Sequence, residues 1–392
     1  MNPRRQIGRQ SRLGDPRVGD LRLLFGDLHN HSLLSDGRGN PDDAFRQLRE
    51  AGLDVAALTD HASTPLERLA GLTLDDYPDA QALSIGRLAP RSIDDHAWKR
   101  TAKIADAYDV PGEFTALRGF EWTEPWLGHV NVWFSEEFLP VTTPGRICGL
   151  HDFLAEAETQ ALFGYNHPGR EPGRFGDFEV PAPHPELARR MVALEVFNRT
   201  QDFLFEGYEN GARSPIADCL DAGWRPGLIG CSDEHGRTYG LVGKGRTGLW
   251  SPAHTRAGVQ EALLSRRTYA TREVGLRLDA TLDGVPMGSV LRTGRTATLE
   301  VDCASSSYLG DHAELQLLTG SRERADDGGI RVVHRSTARL GDVVQVTVPV
   351  PDDARWLVLR VADLDQPLGS PVPTEHPARG WALAYASPWF LA

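Results

Sequence analysis

The chain has 392 residues, with 42 basic and 54 acidic side chains for a formal net charge of −12, and 40% of its residues are hydrophobic. That length suits two or three domains with a sizeable core, and that composition excludes a wholly disordered, collagen-like or coiled-coil chain. No stretch approaches the roughly 18 consecutive apolar residues of a membrane-spanning helix, and the acidic balance disfavours a sequence-independent nucleic-acid coat.

Residues 1–20 carry Arg4 and Arg5 but no apolar run behind them, so they read as a polar, disordered leader rather than a secretory or twin-arginine signal. Cysteines Cys148, Cys219, Cys231 and Cys303 show no CxxC spacing and read as reduced, buried thiols; with the leader, they make cytoplasmic the expected compartment. From residue 21 to about 273, strand-like runs alternate with helix-like stretches. The strand candidates are 21–29, 55–60, 114–122, 161–167, 191–198 and 228–235, with shorter runs at 129–134 and 247–251. Helix candidates are 41–52, 93–108, 214–223 and 255–267. In the first of these, Pro41 suits the first helical position, Asp42 and Asp43 the first turn, and Gly52 the stop. Alternation of this kind predicts a parallel sheet or a barrel. After Gly275 the texture changes to β-branched runs at 296–303, 313–320, 343–350 and 356–363, a β-sandwich pattern. The expected organisation is therefore a leader (1–20), an α/β unit (21–274) and an all-β sandwich (275–392).

Chemistry concentrates where the strands of the α/β unit end. The first runs into GDLHNHSLLSDG (His29, His31, Asp36), the second ends in TDH (Asp60, His61), and the third in GFEW (Glu121), with His129 eight residues on. Later strands end in NHPGR (His167) and SDEHG (Asp233, His235). In α/β barrels the C-terminal ends of strands assemble the active site. Imidazole and carboxylate suit Zn, Mn or Fe, and in His29–His31 and Asp233–His235 the i, i+2 spacing puts both side chains on one face of a strand. Each piece alone has a plainer reading. NHP can be a turn, TDH a helix N-cap through Asp60, and Glu121 a surface residue on a half-buried strand. Together they point to a metal centre with enough ligands for two or three divalent ions. The remaining histidines (His96, His151, His184, His254, His312, His334 and His376) read as surface or capping residues.

GDLHNHSLLSDG, LTDH, GFEW, GHVNVW, NHPG and CSDEHG resemble the ordered motifs of the PHP (polymerase and histidinol phosphatase) superfamily, over roughly residues 21–273. Residues 261–289 resemble the junction in a subgroup with a C-terminal β-sandwich, which includes DUF3604 proteins and CehA/McbA-like metallohydrolases. The resemblance implies a distorted (β/α)7 barrel and three metal positions. His29, His31, Glu121 and Asp233 would hold the first ion. Glu121 would bridge to a second, completed by His129 and His167, and Asp36, His61 and His235 would hold a third. Asp36 departs from the histidine common there, which favours a harder ion such as Mn or Fe.

The function expected is a small-molecule phosphoesterase in which a hydroxide shared by two ions attacks phosphorus in line. The alternatives are a metal-dependent carboxylic ester, carbamate or amide hydrolase and, against the acidic charge, a 3′–5′ exonuclease on nucleic acid. No G-x-S-x-G elbow offers a serine nucleophile. Asp60 is a candidate orienting residue. Arg170 and Arg237, with Arg38, either grip a substrate phosphate or brace loops, and Trp122 and Trp126 either stack on a leaving group or pack. The partner expected is a small phosphorylated molecule, without a membrane.

Overall fold

The computed structural model describes residues 9–10, 17–63, 91–141, 146–155, 160–177, 185–305, 312–321, 328–366 and 376–392. Its N-terminal elements are β1 (Leu21–Asp27), α1 (Pro41–Glu50), β2 (Val55–Leu58), β3 (His61–Ala62), α2 (Asp95–Tyr108), β4 (Thr115–Glu124), β5 (Gly128–Trp133), α3 (Cys148–Ala155), β6 (Leu162–Tyr165), β7 (Met191–Asn198), α4 (Pro215–Asp221), β8 (Gly227–Cys231), β9 (Arg246–Ser251), α5 (Arg256–Leu264) and β10 (Thr268–Thr271). Strands β2, β6, β7 and β8 are buried at every position. They are covered on both faces, which is why they read as apolar runs rather than alternations.

Helix α1 starts where the asparagine–proline pair puts it. Asn40 accepts from the Asp42 N–H, Pro41 needs no partner at N1, and the chain leaves the helix through Gly52 at φ +79°.

Pairing is parallel for β1–β2, β2–β4, β3–β4, β6–β7 and β7–β8. It is antiparallel for β4–β5 and β5–β6. Two antiparallel pairings therefore interrupt the parallel order between residues 115 and 165; a short Pro-Trp-Leu-Gly turn returns β4 directly to β5, with no room for a crossover helix. Beyond β8 the chain closes back on β1. The Asp233 N–H donates to His29 O (2.9 Å) and the His31 N–H to Glu234 O (3.0 Å).

Strand β9 pairs antiparallel with both β1 and β10, and β10 pairs in turn with a C-terminal strand. The C-terminal strands are β11 (Arg277–Leu282), β12 (Thr296–Ala304), β13 (His312–Gly320), β14 (Ile330–Arg339), β15 (Asp342–Pro349), β16 (Trp356–Asp363) and β17 (Trp381–Ala386). One sheet runs β11–β12–β15 and the other β14–β13–β16–β17. Leu278, Leu299 and Val301 of the first share an apolar core with Leu315, Leu317, Leu357, Leu359 and Leu383 of the second. The second sheet continues through β17–β10, registered Ala270 to Tyr385, so hydrogen bonds run unbroken between the two halves of the chain.

Asp279 on β11 sits directly opposite Asp302 on β12, while Arg277 pairs with Asp302 at 2.6 Å. Burial first, then the Asp302 carboxylate, raises Asp279 to about 6. A raised carboxyl disfavours the charged folded state, so the cost is absent below about pH 4 and complete above about pH 6. Asp279→Asn is therefore expected to stabilise the protein at pH 7.5 by up to about 3 kcal/mol and to change nothing at pH 4, read as denaturation midpoints at the two pH values.

Cys219, Cys231 and Cys303 are buried free thiols, but Cys148 is exposed at the start of α3, which corrects the reading of all four as buried. His151, His254 and His376 are buried too, not at the surface. His151 packs on Phe163 and Trp224, with burial lowering it to about 4, and His254 Nε2 meets Asp54 O at 2.9 Å. His376 Nδ1 caps a turn by accepting from the Ala378 N–H, and His184 lies outside the described residues. Among the described residues, no helix is long and apolar enough to cross a membrane.

Candidate metal centre

Backbone hydrogen bonds join the strand ends into a ring, and each join carries a side chain of the centre inward. Thr59 donates to Asn30 O, Glu121 to Asp60 O, and Asn166 to His129 O. The β3–β4 register aligns His61 with Glu121. Gly37 allows the first loop to fold tightly, since a Cβ there would lie 2.6 Å from the backbone of His31 and Ser32. His167, Arg199 and Asp233, each just beyond a strand, take φ of +28°, +54° and +47°. Non-glycine residues adopt such values at a cost of roughly 1–3 kcal/mol each, and such strain gathers where a side chain must be aimed.

All nine predicted ligands lie around one cavity of about 450 Å³ or in its floor. His29 Nε2 is 3.0 Å from His31 Nε2, 3.1 Å from Glu121 Oε1 and 3.5 Å from Asp233 Oδ1. His31 Nε2 is 3.3 Å from Asp233 Oδ1. Glu121 Oε1 is also 3.2 Å from His129 Nδ1 and 3.6 Å from His167 Nε2. Asp36 Oδ1, at the mouth, is 3.4 Å from both His61 Nε2 and His235 Nε2. Donors about 2.0–2.2 Å from a common tetrahedral or octahedral ion lie roughly 2.9–3.5 Å from one another, so the spacing fits divalent ions. Glu121 Oε2 and the facing pair His167 Nδ1 and Glu171 Oε2 are buried without an aligned hydrogen bond, a costly arrangement that a cation would relieve.

Carboxylates and imidazoles reshape one another's protonation. Burial opposes charge on Glu121, but His29, His129 and His61 hold its carboxyl well below the ordinary range. Burial likewise opposes charge on His61, yet Glu121 and Asp36 raise it to about 10. Burial and the neighbouring His235 and His61 rings push His31 well below its ordinary value. Asp36 falls to about 2 against the pull of burial, through His61, His31 and His235.

The orienting residues are in part not those the sequence suggests. Asp60 is buried and touches none of the ligand atoms; it accepts from Ser32 N, Ser32 Oγ and Ser35 Oγ, fixing the turn beyond His31. Glu195, in the middle of β7, accepts from the His167 N–H (2.9 Å) and Asn198 Nδ2 (2.8 Å) and lies 2.8 Å from His29 Nδ1. Glu171 meets His167 Nδ1 at 3.2 Å and groups with His129 and His167 as a further cluster that could hold a cation. The only sequence signal for Glu195 is a lone carboxylate inside an apolar strand, and Glu171 hides in a Pro-Gly loop.

Arg170 lines the cavity, donating to Asp233 Oδ2 (3.2 Å) and Asn198 Oδ1 (2.6 Å). Arg237 does not line it; its Nε donates to Arg38 O, and both arginines are exposed outside the cavity. The second cavity guanidinium belongs to Arg199, 3.2 Å from Asp233 Oδ2 and 3.2 Å from His235 Nδ1. Trp122 is core, and Trp126 packs against Gly173 rather than facing the ligands.

A family model described as "Protein of unknown function (DUF3604)" matches residues 73–137, well under half the chain, and holds Glu121 and His129 of the ligand set. No curated protein matches. The chain is similar to a two-domain protein from Bacteroides vulgatus containing a predicted PHP-like metal-dependent phosphoesterase, at 16% identity and TM-score 0.48, over 98% of this chain and 100% of that one. It is also similar to a candidate metal-dependent phosphoesterase from Bifidobacterium adolescentis, at 13% identity and TM-score 0.33, over 54% of this chain and 88% of that one. At such identities and scores neither likeness bears on chemistry, which the residues themselves must carry.

Proposed function

We propose that the chain is a multinuclear metal-dependent hydrolase acting on a small phosphoester. The reading includes a distorted (β/α)7 barrel over 21–274 that carries the site, and a β-sandwich over 275–392. The observation that carries it is the convergence of six imidazoles with Asp36, Glu121 and Asp233 at metal-ligand spacing beneath two cavity-facing guanidiniums. His29, His31, Glu121 and Asp233 would hold one ion, Glu121, His129 and His167 a second, and Asp36, His61 and His235 a third, with Zn, Mn or Fe suited to the donors. Ions so held supply Lewis acidity and an acidified water as nucleophile.

The chain's own residues do the rest. Asp233 presents Oδ1 to the imidazoles and shares Oδ2 between Arg170 and Arg199, which aims both guanidiniums at the space above the ligands. Planar, permanently charged donors there suit the non-bridging oxygens of a phosphoryl group. Glu195 and Asp60 fix the ligand loops, and the cavity, at about 450 Å³, suits a small molecule.

Full-length protein purified without chelator is expected to hydrolyse p-nitrophenyl phosphate or a phosphodiester analogue, and to lose that activity on metal removal. Activity confined to a p-nitrophenyl carboxyl ester would replace the phosphoesterase reading with the ester-hydrolase one.

A further inference from the structure

Arg199 and Gln201, two wall residues of the cavity, sit on a tight reversal in which Gln201 pairs with Asn198 and Asp202 with Phe197. The left-handed backbone at Arg199 persists only where neighbours impose it. On one side they are local: the Arg199 N–H donates to Cys231 O (3.0 Å), and its carbonyl accepts from the Gly245 N–H (2.8 Å). On the other side they come from the far end of the chain.

Arg272 donates to Thr200 O (2.9 Å) and to Ala382 O on β17 (2.8 Å). Its guanidinium lies 4.4 Å from the Phe197 ring centroid and 3.7 Å from that of Trp381. Asp202 Oδ2 accepts from the Tyr385 hydroxyl (2.8 Å), which itself accepts from Arg360 Nε (2.8 Å). Arg360 is fully buried and also donates to Gln316 Oε1, Arg379 O and Gly380 O. A buried cation with every nitrogen hydrogen-bonded is held in one arrangement, so the Arg360–Tyr385–Asp202 relay is stiff. It starts on β13, β16 and β17 and ends on the reversal that carries Arg199.

We propose that Tyr385 and Arg272 are positioning residues, through which the C-terminal sheet sets how Arg199 and Gln201 meet the anionic group of a phosphorylated substrate. The proposal rests on the phosphoesterase reading. It makes the C-terminal sheet part of substrate selection, acting on the cavity wall and leaving the metal ligands alone.

Tyr385→Phe in the full-length, metal-loaded protein keeps the ring on Phe197 and removes the hydroxyl that joins Arg360 to Asp202. Inorganic phosphate titrated calorimetrically should bind about fivefold more weakly, the worth of one hydrogen bond, and KM for p-nitrophenyl phosphate should rise more than kcat falls. Metal per chain should stay at the wild-type level. Phosphate affinity equal in variant and wild type overturns the proposal, even if the variant melts lower. Should Tyr385→Phe fail to fold, Arg272→Lys decides by the same comparison, because lysine has one nitrogen where Arg272 reaches Thr200 and Ala382 through two. Wild-type protein that loads metal yet neither binds phosphate nor cleaves a phosphoester sinks the phosphoesterase reading instead.

Discussion

Glu121→Gln is expected to lower turnover by roughly a thousandfold or more and to leave the purified protein short of metal. The Glu121 carboxylate is wholly buried and stands among five imidazoles, with Oε1 near His29, His129 and His167 and Oε2 near His31 and His61. No other carboxylate in the centre faces so many ligand rings. The amide keeps the size and the Asn166 contact but removes the charge that would offset the bound cations. Partners that merely orient ligands typically cost 10–100-fold when lost, so losing a shared ligand should exceed that range. Metal analysis and steady-state rates on the same preparation check it. A variant with wild-type metal content and rate would remove Glu121 from the centre.

Glu195→Leu is expected to reduce metal affinity or activity about 10–100-fold, with Glu195→Gln recovering part of the loss. The carboxylate serves His29 Nδ1, the His167 N–H and Asn198 Nδ2 together, so it ties the loop of β1 to the loop of β6 across β7. Leucine fills the volume in an otherwise apolar strand, so the fold should tolerate it while the two ligand loops lose their shared anchor. Chelator-competition titrations would measure the effect. Unchanged affinity in both variants would reduce Glu195 to a structural residue.

Much of this was legible in the sequence because the chemistry sits at strand ends. Apolar runs that stop at His29, Glu121, His167 and Asp233 mark the places where a sheet releases its chain into a site, and the structure brings those residues together. Contacts made across the fold were not legible. Glu195 looks like any charge on a strand until β7 is seen to be buried on both faces. Arg237 stands two residues from His235 while Arg199 is remote in sequence from every ligand, yet the left-handed turn at Arg199 puts its side chain on the cavity and Arg237 turns to Arg38. The β4–β5 hairpin reads from the sequence as two separate strands because nothing local gives their direction. The Ala-rich strand β17 and the charge-studded β14 are not legible as strands, since neither shows a clear β-branched run, and the pairing of β17 with β10 joins residues far apart in sequence. It is β17, through Tyr385, that joins the C-terminal sheet to Asp202, next to the cavity residue Gln201.

The central claim is that these side chains hold divalent metal. Elemental analysis of full-length protein purified without chelator tests it most directly. Two or three equivalents of Zn, Mn or Fe per chain are predicted, falling below one in Glu121→Gln. Less than one equivalent in the wild type, with no uptake when those ions are supplied, would contradict it.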